Sequence, residues 1–265
     1  MNMDLSLRSR FHIKMKTLYL SLLSIPFFLL GCESQPATQP SSAPTPSAAV
    51  VTIDPSTAGS IAGAVAFKGA APKPPMLDMS QDPACPPEPQ ASEALAVKNG
   101  KLANVFVYVK DGLPAGSFPA PVEPAVLDQK GCRYIPHVLG VMTGQQFKVL
   151  NSDIAQHNVH PMPASNPQWN ESQMPSGKPI TKSFAKAEMM VPIQCNQHPW
   201  MRAYVSVMPH PYFAVSAADG TFAIKNLPPG EYTLAAVHEK LGEQTMKVKV
   251  GPKENAKAAF TFALQ

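Results

Sequence analysis

Three residues in one short segment have the types and spacing to hold a soft metal ion. Cys195, His198 and Met201 lie within Gln194-Cys195-Asn196-Gln197-His198-Pro199-Trp200-Met201-Arg202. A thiolate, an imidazole and a thioether carried on one tight loop can all face a single ion. Soft sulfur together with imidazole suits copper, and two His with one Cys and a weak axial Met make the set of one-electron copper sites. That set needs a second His, which an upstream segment supplies: Leu150-Asn151-Ser152-Asp153-Ile154-Ala155-Gln156-His157-Asn158-Val159-His160. In an extended segment His157 and His160 face opposite sides, so only one of them can reach the site.

Other chemistries for these residues are weaker. A lone Cys or Met in a β core is ordinary packing, but four compatible donor types at this spacing argue for ligation. Cys195 with His157 or His198 has the makings of a nucleophilic dyad. No Gly-rich elbow accompanies it, and Met201 would then have no role. Structural zinc sites use Cys and His without Met. His137 and His238 have no ligand-spaced neighbours and read as structural, and His210, in Pro209-His210-Pro211, reads as a junction residue.

The elements that must position the donors are strands. Leu102 to Val109 is a β-branched and aromatic run closed by Asp111-Gly112, and Gln146 to Leu150 precedes the polar turn before His157. Ala203 to Met208 alternates and stops at Pro209; Thr221 to Ile224, Tyr232 to Val237 and Met246 to Val250 follow. Short strands at this spacing predict an all-β sandwich fold. Composition agrees: apolar residues make up 45% and charged residues 15%, with 30 Pro among 265 residues. The formal net charge is only +4 and no patch dense in Lys and Arg is interleaved with aromatics, which argues against a nucleic-acid partner.

The chain begins with a basic stretch (Arg8, Arg10, Lys14, Lys16) and an apolar run from Leu18 to Leu30, the pattern of an export signal. Its ending, Leu29-Leu30-Gly31-Cys32, resembles the bacterial lipobox, which implies cleavage before Cys32 and a lipid on that residue. Losing residues 1–31 removes four basic residues and Asp4, leaving a formal charge of about +1. Residues 32–58 are rich in Ser, Pro, Ala and Thr and read as a disordered tether. Glu33 after Cys32 is not the Asp linked to inner-membrane retention, so the expected location is the periplasmic face of the outer membrane. Of the four Cys, a lipidated Cys32 leaves three. The simplest division pairs Cys85 with Cys132 in a disulfide and leaves Cys195 as a ligand.

Two resemblances sharpen this reading. The segment Cys195 to Arg202, with its Cys-x-x-His-Pro-aromatic-Met-Arg pattern, resembles the ligand loop of cupredoxins of the amicyanin type. His157-Asn158-Val159-His160 resembles the upstream segment of that family, with Gln156 in place of a Pro. The resemblance covers about 90 residues and implies a Greek-key β-sandwich over 121–211, holding one copper ion. By position it makes His157, Cys195, His198 and Met201 the ligands, chosen over His160. Asn158 then bonds across to the Cys-bearing loop, and Pro199 and Trp200 form an apolar docking surface around an exposed His198 edge. Separately, Gly59-Ser60-Ile61-Ala62-Gly63-Ala64-Val65 and Leu227-Pro228-Pro229-Gly230-Glu231-Tyr232 resemble carboxypeptidase regulatory-like, or transthyretin-like, β modules. That implies a second sandwich from 59–120 and 212–265, either interrupted by the copper domain or merged with it in one larger sandwich. The function implied is single-electron transfer to a redox partner protein (a dehydrogenase, cytochrome or oxidase), with no substrate turned over. Copper storage or delivery, or a cell-surface module binding carbohydrate or protein, are the alternatives.

Overall fold

A computed structural model describes residues 49–264 of the chain. The signal segment, Cys32 and the tether up to residue 48 lie outside the described residues. Among the described residues every regular element is a β-strand.

The strands form two groups, each with its own core. In the first, Gly59–Phe67 pairs antiparallel with Thr221–Leu227 and parallel with Asn255–Phe262. A facing sheet runs in the order Phe213–Val215, Phe106–Asp111, Gly230–His238, Gly242–Val250. Between these sheets lie Ile61, Val65, Val107, Val109, Phe222, Ile224, Leu234 and Phe260. The sequence dictates this by strict alternation: Asn255–Phe262 buries every second residue. Gly63 permits the central pairing, because a Cβ there would fall 2.1 Å from the Ala258 carbonyl oxygen and against the Phe222 ring.

The second group spans residues 125–208. One sheet has the order Ile180–Lys182, Phe147–Asn151, Ala125–Gln129, Tyr134–Ile135. The other has the order Glu171–Gln173, His157–Pro161, Glu188–Gln194, Arg202–Met208, Val138–Met142. Their shared core contains Leu127, Val141, Phe147, Val149, Val159, Phe184, Ile193, Val205 and Val207, together with Cys195 and Met201. The chain leaves the first group after Phe106–Asp111 and returns at Phe213–Val215, which pairs with that same strand. The residues between these two strands build the second group.

Phe106–Asp111 joins the two groups. Val107 and Val109 face the first core, while Phe106 and Tyr108 pack with Val138, Met208 and Ala235 at the junction. Burial on both faces explains why this strand reads as an unbroken apolar run rather than an alternating one. Gly140 sits here too, where a Cβ would fall 2.3 Å from the Phe213 ring.

Two further segments bear on the site. Residues 49–58, which composition assigns to a disordered tether, are ordered. Val51 N–H donates to the Ser117 carbonyl at 2.9 Å, Asp54 caps a turn through the Ser56 N–H, and Ile53 packs on the first core. One half-buried Ile and a capped turn fix a stretch whose composition is otherwise that of a linker. The second segment is an excursion from the first group. A short hairpin, Met76–Leu77 with Gln90–Ala91, carries a loop that lies on the second group and is joined to it by a Cys85–Cys132 disulfide.

Candidate metal centre

The loop from Cys195 to Met201 connects two antiparallel strands whose last pair is Gln194 and Arg202. Met201 N–H donates to the His198 carbonyl at 2.9 Å and Cys195 N–H to the Met201 carbonyl at 3.3 Å, so the loop folds back on itself. The neighbouring strand His157–Pro161 pairs His160 with Gln194, which brings its start, His157, beside this loop. Donor atoms of His157, Cys195 and His198 lie within 4.8 Å of one another. The two Nδ1 atoms are 2.9 Å apart, and Cys195 Sγ is 3.6 Å from His198 Nδ1. All three residues are buried, with exposures of 0% for His157, 2% for Cys195 and 3% for His198. Met201 is buried in the same core.

His160 is not in the cluster. Its ring contacts Asn196 and Gln168 on the opposite side of the strand, as the odd separation requires. His137 binds the Arg202 carbonyl and Glu239, His238 takes the Lys240 N–H, and the His210 ring rests on Phe118 and Tyr212.

Asn158 bridges the two donor segments. Its Oδ1 accepts the Asn196 N–H at 2.7 Å, its Nδ2 donates to Asn170 Oδ1 at 2.7 Å, and its own N–H points at Cys195 Sγ at 3.5 Å. Tyr134 OH donates to the Asn158 carbonyl at 2.5 Å from beneath, and burial holds that phenol's pKa far above the ordinary range.

Two carboxylates outside the sequence expectation complete the site. His157 Nε2 is 2.9 Å from Asp153 Oδ2, and His198 Nε2 is 2.9 Å from Asp82 Oδ2. A carboxylate on Nε2 favours a proton on that nitrogen, so Nδ1 is the atom turned toward the other donors and the one that would meet a metal. Asp153 is held by the N–H groups of Gly131 and Cys132, in a loop shaped by Asn151, whose amide binds the Ala155 and Gln173 carbonyls. Burial raises the Asp153 pKa, but the His157 bond and these two N–H groups outweigh it and the net shift is down. The Asp82 pKa is lowered by the Ala84 N–H and then by His198.

The thiol is also activated. Burial pushes Cys195 up, but His157 and the N–H groups of Asn158, Gln197 and His198 bring it down to about 7. Burial pulls His157 down, while Asp153 and Cys195 together raise it to about 9. A thiolate beside two oriented imidazoles is a donor set matched to a soft or borderline ion. Cys85 and Cys132 also come near the two histidines, but their sulfurs are engaged in the disulfide.

One expectation is corrected. His198 does not present an exposed ring edge: Asp82, on the disulfide-joined excursion, covers its Nε2. Pro199 is exposed, and Trp200 is half-buried with its ring 5.0 Å from His198 and its Nε1–H donating to the Cys132 carbonyl at 3.0 Å. Asp153, four residues before His157, had a local signal in its polar turn. Asp82 had none, being 116 positions from its partner.

No protein-family model and no curated protein matches the sequence. Among solved structures, an oxidised variant of amicyanin is 24% identical over 31% of this chain and 79% of its own, at a TM-score of 0.28. A purple cupredoxin from Nitrosopumilus maritimus is 18% identical over 32% of this chain and 97% of its own, at 0.26. A copper-containing nitrite reductase from Thermus scotoductus SA-01 is 18% identical over 37% of this chain, at 0.30, and the match spans only 25% of that enzyme.

Proposed function

We propose that His157, Cys195 and His198 would hold a single copper ion, with the thioether of Met201 as a further, weaker donor, and that the chain passes single electrons to a redox partner protein. The observation that carries this reading is the convergence of two Nδ1 atoms and a thiol, each imidazole fixed from behind by its own carboxylate. Bound copper supplies a Cu(I)/Cu(II) couple. The protein residues do the rest. Asp153 and Asp82 hold the rings so that neither nitrogen donor need turn when the charge at the centre changes, and Asn158 ties the Cys195 loop to the His157 strand. The core around Cys195 and Met201 excludes water, which limits solvent reorganisation.

Since His198 is covered, the surface of this loop is made by exposed Asn196, Gln197 and Pro199 and half-buried Trp200, and a partner docks on the apolar pair Pro199 and Trp200. No substrate is turned over. An exported, lipid-anchored location on the periplasmic face of the outer membrane fits this role and rests on the sequence of residues 1–33 alone.

Stepwise potentiometric titration of the copper-loaded protein tests the proposal. Reversible uptake of one electron per chain, with copper retained throughout, is expected. Copper that is bound but does not cycle, or that passes promptly to an acceptor chelator, would establish storage or delivery instead.

A further inference from the structure

We propose that Asp82 is a positioning residue for His198, and that the Cys85–Cys132 disulfide keeps it there as a fastened cover over the donor cluster. This rests on the metal reading above and concerns residues to which neither the ligand loop nor its neighbours in sequence point.

Asp82 reaches the centre from the other strand group. Its Oδ2 meets His198 Nε2 at 2.9 Å, and its Oδ1 takes the Ala84 N–H at 2.8 Å. Its backbone carbonyl accepts the Cys85 N–H at 3.0 Å, so Asp82 stands in a turn closed on Cys85. Met79 and Cys85 are buried in the core of the second group, which seats this turn against it.

At the other end of the disulfide the contacts are of the same kind. Cys132 N–H donates at 2.8 Å to the same Asp153 oxygen that binds His157, and the Cys132 carbonyl receives Trp200 Nε1–H. The Cys85 sulfur lies within 4.8 Å of the donor atoms of Asp82 and His198, and the Cys132 sulfur within 4.8 Å of those of Asp153 and His157. The disulfide therefore lies beside both imidazoles and joins the turn that carries Asp82 to the turn whose N–H groups hold Asp153. Without it, Asp82 is held near His198 by its own hydrogen bond, by the packing of Leu77, Met79 and Ala84, and by the bonds of Gln90 to Gly131 and of Arg133 to Gln90 and Glu93 at the base of the excursion. A loop tied through 47 residues of intervening chain would regain its freedom.

The full chain is tested as Asp82→Ala, Asp82→Asn, the pair Cys85→Ser with Cys132→Ser, and the triple variant of Asp82→Ala with that pair. The first readout needs no metal: the rate at which diethyl pyrocarbonate modifies His198 in the metal-free protein, followed by mass spectrometry. The second is Cu(I) affinity in competition with bathocuproine disulfonate.

Asp82→Ala and the Cys pair should each speed His198 modification roughly tenfold and weaken copper by about 10- to 100-fold. Asp82→Asn, which keeps an acceptor oxygen, should stay near wild type. The triple variant should be no worse than the worse of its parents, because the disulfide and the carboxylate act as one device. Should the Cys pair not fold, dithiothreitol replaces it: the dithiol is oxidised to its cyclic disulfide, the S–S bond breaks, and Cys85 and Cys132 each take a proton.

An Asp82→Ala protein whose His198 is modified as slowly as wild type overturns the proposal, and so do parental effects that multiply in the triple variant. Copper retained equally by all variants sinks the cover and leaves the metal reading standing. No copper retained by wild type, with the modification pattern as described, removes the metal and leaves the cover.

Discussion

Replacing Asn158 with Ala tests how the two donor segments are held together. The side chain makes one bond to the Asn196 N–H and one to Asn170 Oδ1, both at 2.7 Å, from a buried position. Its 3.3 Å contact with Cys195 Sγ requires a protonated thiol, and with the Cys195 pKa brought down to about 7 that contact adds little beyond the other two above neutral pH. At about 1 kcal/mol net per bond, Asn158→Ala should cost about 2 kcal/mol in the metal-free protein. Asn196 is exposed, so water takes over its freed N–H and the loss should not greatly exceed that figure. Asn170→Ala removes only one of the bonds and should cost about 1 kcal/mol. The double variant should match Asn158→Ala rather than the sum, since the shared bond can be lost only once. Urea unfolding of the four proteins measures all of this. In the copper-loaded state the freed Cys195 loop should weaken binding by about 10-fold or more. A loss below about 0.5 kcal/mol for Asn158→Ala, or full additivity with Asn170→Ala, would refute the bridging role.

Other outcomes follow from single sites. His238 is 1% exposed, and burial, with His137 and Lys240 nearby, lowers its pKa to about 4, so it is neutral in the fold. The unfolded chain takes up that proton at higher pH than the folded one, so stability falls as pH drops through the window from 6.5 toward 4. Between about pH 7.5 and 5 this residue should account for a loss of about 2 kcal/mol, and His238→Gln should flatten that part of the urea-midpoint profile; an unchanged profile would count against it. Gly140→Ala places a Cβ 2.3 Å from one Phe213 ring carbon and 2.9 Å from one of Phe106, and should cost about 1–3 kcal/mol, read as a lowered Tm. Met201→Leu conserves core volume and should cost under about 1.5 kcal/mol while copper is retained. Loss of a thioether donor should raise the reduction potential, and an unchanged potential would remove Met201 from the ligand set.

The site was legible where its logic is local. Strand parity alone puts His157 and His160 on opposite sides, and the loop from Cys195 to Met201 carries Cys195, His198 and Met201 within seven residues. The strands followed from alternation, as from Ala203 to Met208, or from an apolar run, as from Leu102 to Val109, whereas Asn255–Phe262 was not singled out although it alternates strictly. What escaped was set by long-range pairing. Asp82 comes from a Pro-rich excursion that reads as plain loop, and nothing local marks it as the partner of His198. The same contact explains why the exposed histidine edge expected from this loop is buried: a pattern carried by eight residues cannot report a cover supplied by another part of the chain. Residues 49–58 were misread because composition averages over a stretch in which Val51, Ile53 and Asp54 decide the outcome.

The visible absorption spectrum of the copper-loaded, oxidised protein tests the central claim most directly. A thiolate held beside two imidazoles should give an intense band from the Cys195–Cu(II) bond, and Cys195→Ser should abolish the band in a protein that still folds. A wild-type protein that binds copper but stays colourless under oxidant, or a Cys195→Ser variant of unchanged colour, would contradict it.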